Sequence, residues 1–420
     1  MSVVLAAERI RRAVLPGGLR LLAVERPGSG MVAAHLLVQA GGMHDGRQAG
    51  TARFVARTLE RGTRRRSGPQ LAEELDGLGA TLSVVAALEV VAVVGRALAE
   101  DAAAFLGLLA EVVTQPAFPP VEVEKVRGEL LTEVRVHALD TWHAAERAFR
   151  QLAFPPDHPH AAPPDGEEAV LQGLGVADLA AFHARHYRPD RTILALVGDL
   201  PWPRAQEEVA RAFEGWEAAG EAAEPVIPPV GLPEGVRRRE VPLPGKSQSD
   251  IVLGGVGPAR TDPGYYPAMM ATVLLGQLGM MGRVGERVRE RMGLAYHASM
   301  ELRAGRLPAP WWVRAGVNPA NVERAIGAIL EEVARFQQDG PAPDELADAR
   351  DYLTGSLAVR LETHGGVAAV LAEIEYYGLG LDYLERFPGI VRGLTAEEIR
   401  AAAGAFPLDR YVLAVAGPER

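Results

Sequence analysis

Apolar residues recur at spacings of three and four through several stretches of the chain. Phe105, Leu108, Leu109, Val112 and Val113 follow that period, which predicts helices with one buried face. Apolar runs of another kind, RLLAVER (20–26), MVAAHLLVQA (31–40), SVVAALEVVAVVG (83–95) and TILALVG (192–198), read as strands. Strand blocks and helix blocks alternate along the chain, so the expected class is α+β, with mainly antiparallel sheets covered by helices.

The pattern repeats. GLGVADLAAFHARHYRPDRTILALVGDL (173–200) and GLTAEEIRAAAGAFPLDRYVLAVAGPE (393–419) match element by element: a short helix, a turn at Asp190-Arg191 or Asp409-Arg410, then an apolar strand ending at Gly198 or Gly417. Upstream, 97–131 and 317–355 share the order helix, proline-marked turn, helix. Residues 216–236, rich in Pro and Gly and without apolar period, read as a linker. The chain is therefore expected to form two similar domains, 1–215 and 237–420.

Composition narrows the chemistry. The 420 residues carry a formal charge of −10, which speaks against a nucleic-acid-tracking surface. With no cysteine, thiolate metal sites, disulfides and cysteine nucleophiles are excluded, and any metal would need His, Asp or Glu. Glu8, Arg9, Arg11 and Arg12 interrupt the stretch where a signal peptide would need continuous apolar residues, and no run approaches a membrane span, so a cytoplasmic protein without membrane contact is expected.

The stretch from Gly50, GTARFVARTLERGTRRRSGPQLAEELDGLGATL, keeps a frame set by Gly50, Ala52, Phe54, Gly62, Thr63, Leu75 and Gly79. That frame resembles the segment carrying the inverted zinc motif H-x-x-E-H in the pitrilysin and mitochondrial processing peptidase family. The likeness continues through Pro116 to Phe118, the helix around Glu133, residues 154–160 and the second half. Where the family's enzymes hold His, Glu and His, this chain holds Arg53, Ala56 and Arg57. Two imidazoles at i and i+4 on a helix can share one Zn²⁺ while the intervening Glu takes a proton from the bound water. A guanidinium offers no lone pair, and alanine accepts no proton, so no metal and no catalytic residue is expected in this chain. The family's distal glutamate ligand maps to Glu133, which is expected to form an ion pair with Arg57 or Arg53.

In the second half, GRVGERVRERMGLAYHAS (282–299) resembles the family segment L-R-E-x-x-G-L-A-Y. The resemblance gives Arg289 and Tyr296 the task of holding substrate main-chain carbonyls at the zinc site of another half or chain. It implies a catalytically inactive subunit of the bacterial two-chain type. Such a subunit pairs with a homologous zinc-bearing peptidase chain, which brings the zinc, around a chamber for peptide substrates; a homodimer could form in isolation. The alternative is a structural or assembly protein of the same fold with no peptidase role. A self-sufficient hydrolase would need a separate cluster of perturbed groups, and none is visible in the sequence.

Other groups read more simply. His143, with Glu146 and Arg147, lacks a second imidazole one turn on, and His158, His160, His183 and His186 read as surface hydrogen-bonding groups. Arg64, Arg65 and Arg66 read as a solvated turn, Trp311 and Trp312 as the start of a strand with one ring in the core, and Tyr376 and Tyr377 as helical.

Overall fold

A computed structural model describes residues 5–218, 220, 222 and 224–419. Two compact units emerge, and they interleave in sequence. Unit 1 comprises 1–134, 164–226 and 357–386; unit 2 comprises 135–163, 227–356 and 387–420.

The sheet of unit 1 contains β1 (Arg11–Val14), β2 (Arg20–Glu25), β3 (Met31–Val38), β4 (Thr81–Ala86), β5 (Val91–Leu98) and β6 (Thr192–Gly198) in the order β1-β2-β6-β3-β5-β4. The sheet of unit 2 contains β7 (Arg237–Pro242), β8 (Ser249–Val256), β9 (Ala295–Leu302), β10 (Pro310–Val317) and β11 (Val412–Gly417) in the order β7-β11-β8-β10-β9. Without β1 the two orders correspond strand for strand, down to the one parallel pair in each, β2 with β6 and β7 with β11. The internal repeat is thus a repeat of topology, and the class is α+β with two similar domains.

The run 83–95, which reads as one strand, is mostly a hairpin. It turns at 87–90, where the Ala87 N–H donates to Val90 O at 2.8 Å, and β4 then pairs antiparallel with β5. The turn holds no Gly or Pro, so nothing in the local sequence marks it.

Helices cover the sheets through their apolar faces. The first five are α1 (Thr51–Thr58), α2 (Gly68–Gly77), α3 (Ala102–Thr114), α4 (Pro120–Ala138) and α5 (Thr141–Ala153). α3 buries Phe105, Leu106, Leu108, Leu109, Val112 and Val113, which includes every position the period of three and four selects. The contiguous halves expected from the sequence differ from the compact units at one helix in each half. α5 belongs to the first half but packs on β8 and β11 of unit 2, and the helix His364–Tyr377 of the second half packs on β3 and β6 of unit 1. The amphipathic period requires an apolar surface to cover but does not say whose, and the sheet that is nearest in space receives the helix. Between Ala212 and Arg237 the described residues form no helix or strand.

Several expectations about single residues change. Both Trp311 and Trp312 are buried, because β10 is covered on both faces: Trp311 meets Phe406 at 4.9 Å and Trp312 meets Phe149 edge-on at 5.6 Å. His158, His160 and His186 are buried, and the imidazole of His183 donates from Nε2 to Val113 O at 2.8 Å, so these are interior groups and not surface ones. Arg66 turns inward from its loop, pairing with Glu74 at 2.7 Å and with the buried Glu111. Tyr376 and Tyr377 end their helix as expected, with the Tyr376 hydroxyl donating to Glu89 at 3.0 Å.

Candidate functional site

Two places in the molecule carry the residues singled out by sequence: α1 with α4 in unit 1, and the segment 286–299 in unit 2.

α1 begins in an unusual way. Its N-cap position is Gly50, at φ 105°, and a Cβ there would lie 2.8 Å from the Cα of Gly166, so only glycine fits. The capping carboxylate comes from outside the helix: Asp45 accepts from the N–H of Gly50 at 2.7 Å and of Ala52 at 2.8 Å. Burial pushes the Asp45 carboxyl up to about 7, against the pull of those N–H groups.

Arg53, Arg57 and Arg61 recur every four residues and lie along one face of the α1 region, opposite Glu129 and Glu133, themselves four apart on α4. The side chains interlock as a ladder. Arg53 donates to Asp165 at 2.6 Å and to Glu133 at 2.7 Å; Arg57 donates to Glu133 at 3.2 Å and to Glu129 at 3.0 Å; Arg61 donates to Glu129 at 3.0 Å. Three guanidiniums face three carboxylates, so the cluster is neutral. Glu133 pairs with both arginines. Sequence reasoning named Arg53, Arg57 and Glu133 but missed Arg61, Glu129 and Asp165; the i, i+4 spacing of the first two was available as a signal, whereas Asp165 is brought in by the fold.

These residues do not fit a zinc ion. Both oxygens of Glu133 already accept from guanidinium groups, positions 53 and 57 hold fixed cations, and Ala56 is 1% exposed, packed into the core with no group aimed at a bound water. Among the described residues no group of three or more His, Asp or Glu is placed to hold a metal ion. The ladder is partly exposed, so its worth is modest. Replacing Glu133 by Ala, which leaves Arg53 and Arg57 to repel each other, should lower stability by about 1 kcal/mol, read as a shift in the urea midpoint. An unchanged midpoint would mean that the ladder is electrostatically idle.

In unit 2, Arg289 lies in a π-helical turn, Glu286–Arg291, where one extra residue per turn re-aims side chains. Its Nε is 3.4 Å from Glu290. Gly293, at φ 59°, ends the turn and leads into β9. There the ladder between β9 and β10 slips: Gly316 pairs with His297 but Val317 with Ala295, leaving Tyr296 as the unpaired residue of a bulge. The consequence is exposure. Tyr296 is 85% exposed, although it lies within a strand whose next residues, Ala298 to Met300, are buried.

The chain is similar to known proteins over most of its length. Residues 20–154 match the family model described as Insulinase (Peptidase family M16), and residues 173–353 match the model described as Peptidase M16 inactive domain. The chain belongs to peptidase family M16. An uncharacterized zinc protease of Mycobacterium bovis is 29% identical over 98% of this chain and 94% of its own length. One from Streptomyces coelicolor is 25% identical over 97% of this chain and 90% of its own length. The crystal structure of a peptidase M16 inactive domain from Pseudomonas fluorescens superposes with a TM-score of 0.91 at 25% identity, covering 98% of each chain. This M16 chain is of the non-catalytic type, and it holds Arg53, Ala56 and Arg57 on α1. No helix among the described residues of this M16 chain is long and apolar enough to cross a membrane.

Proposed function

We propose that this chain is the inactive subunit of a two-chain zinc peptidase. It supplies Arg289 and Tyr296 to hold peptide main chain, while a homologous partner chain brings the zinc and performs the cleavage in the cytoplasm. The observation that carries this reading is the bulge at Tyr296. A strand interior normally pairs and buries its aromatics, yet Tyr296 is turned out to solvent ten residues after the π-turn begins, and the Arg289 guanidinium on that turn has one weak partner among the described residues. Both groups are N–H or O–H donors, suited to a peptide carbonyl. The names of the relatives support a zinc protease context, and the ion-pair ladder at α1 supports a division of labour in which zinc sits in the other chain.

The test is peptidase activity of the chain alone, of a zinc-motif homologue from the same genome alone, and of the two mixed. Activity arising in the mixture and lost to chelator is expected, and Tyr296→Phe or Arg289→Ala should reduce it about tenfold through the loss of one hydrogen bond to a developing charge. Zinc added to this chain alone should leave its thermal midpoint unchanged. Cleavage by this chain alone, or full activity of a mixture containing both variants, would refute the reading.

A further inference from the structure

Beside Tyr296 stands a residue to which the sequence assigned nothing. His297 pairs across the bulge with Gly316, and its imidazole is fixed on two sides: Nε2 lies 2.9 Å from Ser299 Oγ, and the ring meets the Trp142 indole edge-on at 6.0 Å. Trp142 is itself immobilised, with the Arg314 guanidinium stacked 3.8 Å over its ring. A half-buried histidine held this firmly has a defined orientation. The Ser299 hydroxyl can accept from Nε2–H, the arrangement that leaves the Nδ1 lone pair free to accept, and no contact of Nδ1 with another described residue is present.

Burial lowers the pKa of His297 from the ordinary histidine value. Arg314 on β10 and Arg289 on the π-turn push in the same direction; Glu301 on β9 and Asp250 on β8 oppose them without reversing the shift. At neutral pH the segment therefore presents donors at Arg289 and Tyr296 and an acceptor at His297.

We propose that His297 is a third peptide-binding group, accepting a hydrogen bond from a main-chain N–H of an extended peptide at Nδ1; this rests on the reading of Arg289 and Tyr296 as peptide-holding. An extended peptide offers C=O and N–H in alternation along one edge, so a surface with both donors and an acceptor recognises backbone, whereas two donors alone recognise only carbonyls. Ser299 is a positioning residue, acting by fixing the tautomer.

The experiment measures binding to the purified chain, by fluorescence anisotropy at neutral pH, of a labelled unstructured peptide and of analogues in which one amide at a time is replaced by an ester. The ester removes an N–H and leaves the side chains unchanged. One ester position is expected to bind wild-type protein about fivefold more weakly, the effect of one hydrogen bond. His297→Ala should weaken the all-amide peptide by a similar factor and abolish the difference between ester and amide. His297→Gln, whose side-chain carbonyl can still accept, should recover part of the loss. Equal binding of every ester analogue to wild-type protein overturns the proposal even if the Ala variant fails to fold. Unchanged binding by His297→Ala, with weakened binding by Tyr296→Phe, overturns it while leaving the holding role of the pair intact. Unchanged binding by Tyr296→Phe and Arg289→Ala, or no peptide binding at all, removes that role and this proposal together.

Discussion

Replacing Glu146 by Gln should destabilise unit 2 by about 3–5 kcal/mol, the range for removing one partner of a buried ion pair. Glu146, on α5, is the carboxylate between two arginines. It accepts from Arg150 at 2.7 Å and pairs with Arg314 of β10, whose side chain is only 7% exposed. Arg314 lies between two indoles, with its guanidinium carbon 3.8 Å from the Trp142 ring centre and 4.7 Å from that of Trp312. Burial pulls Arg314 down to about 10 even with Glu146 beside it, so the buried charge depends on that carboxylate. Glutamine keeps the shape and loses the charge, leaving two guanidiniums in a poorly solvated place. The companion variant Glu146→Leu with Arg314→Leu should recover much of the loss, because it removes the charges together. Urea unfolding of the single and double variants decides the matter; a loss below about 1 kcal/mol for Glu146→Gln would show that water reaches the pair.

Stability should also fall steeply as pH drops from about 6.5 toward 4. Burial holds His35, His44, His183 and His186 down to about 4 and His160 down to about 3. The structural reasons are visible: His44 and His186 pack ring to ring at 4.8 Å, both ring nitrogens of His160 are buried without a partner among the described residues, and at His183 burial outweighs the hydrogen bond to Val113 O, which by itself favours the charged ring. Each folded pKa is depressed, so the unfolded chain takes up protons first, and the stability present above pH 6.5 is lost as pH falls toward the folded values. Asp45 works the other way. Its raised pKa stabilises the folded protein progressively as pH falls through about 7, but one carboxyl does not offset five imidazoles. The net loss between pH 6.5 and 4.5 should be on the order of 5 kcal/mol, discounted for partial solvent access to the His44 and His186 rings. Urea midpoints measured across that window should fall together with it. A flat profile would mean that the imidazoles charge inside the fold at little cost, and His160→Phe, which removes one of the five, should flatten the profile measurably.

Much of the candidate site was legible along the chain. Arg53 and Arg57 four apart on a helix, and Glu133 in the frame of a lost ligand, are enough to expect the ion pair that the structure contains, because helical spacing alone places the two guanidiniums on one face. Arg289 and Tyr296 were legible as residue types at a family spacing. What makes them accessible was not. A π-turn and a bulge are one-residue departures from regular geometry, set by how 286–299 must meet β10, and no residue type announces them. The role argued for His297 depends on the same accident of register.

The sequence by itself determined what acts over short separations: the strand runs, the helical faces, the doubled topology and the absence of cysteine chemistry. Only the tertiary structure decided which partners meet across long separations. It placed α5 on the sheet of unit 2 and the helix His364–Tyr377 on that of unit 1, joined Arg314 to Glu146 at a separation of 168 residues, and drew histidines from apparently exposed turns into the interior. The physical reason is that periodicity specifies how much apolar surface an element must bury and on which side, whereas the identity of the covering surface depends on shape and on charges contributed by distant parts of the chain.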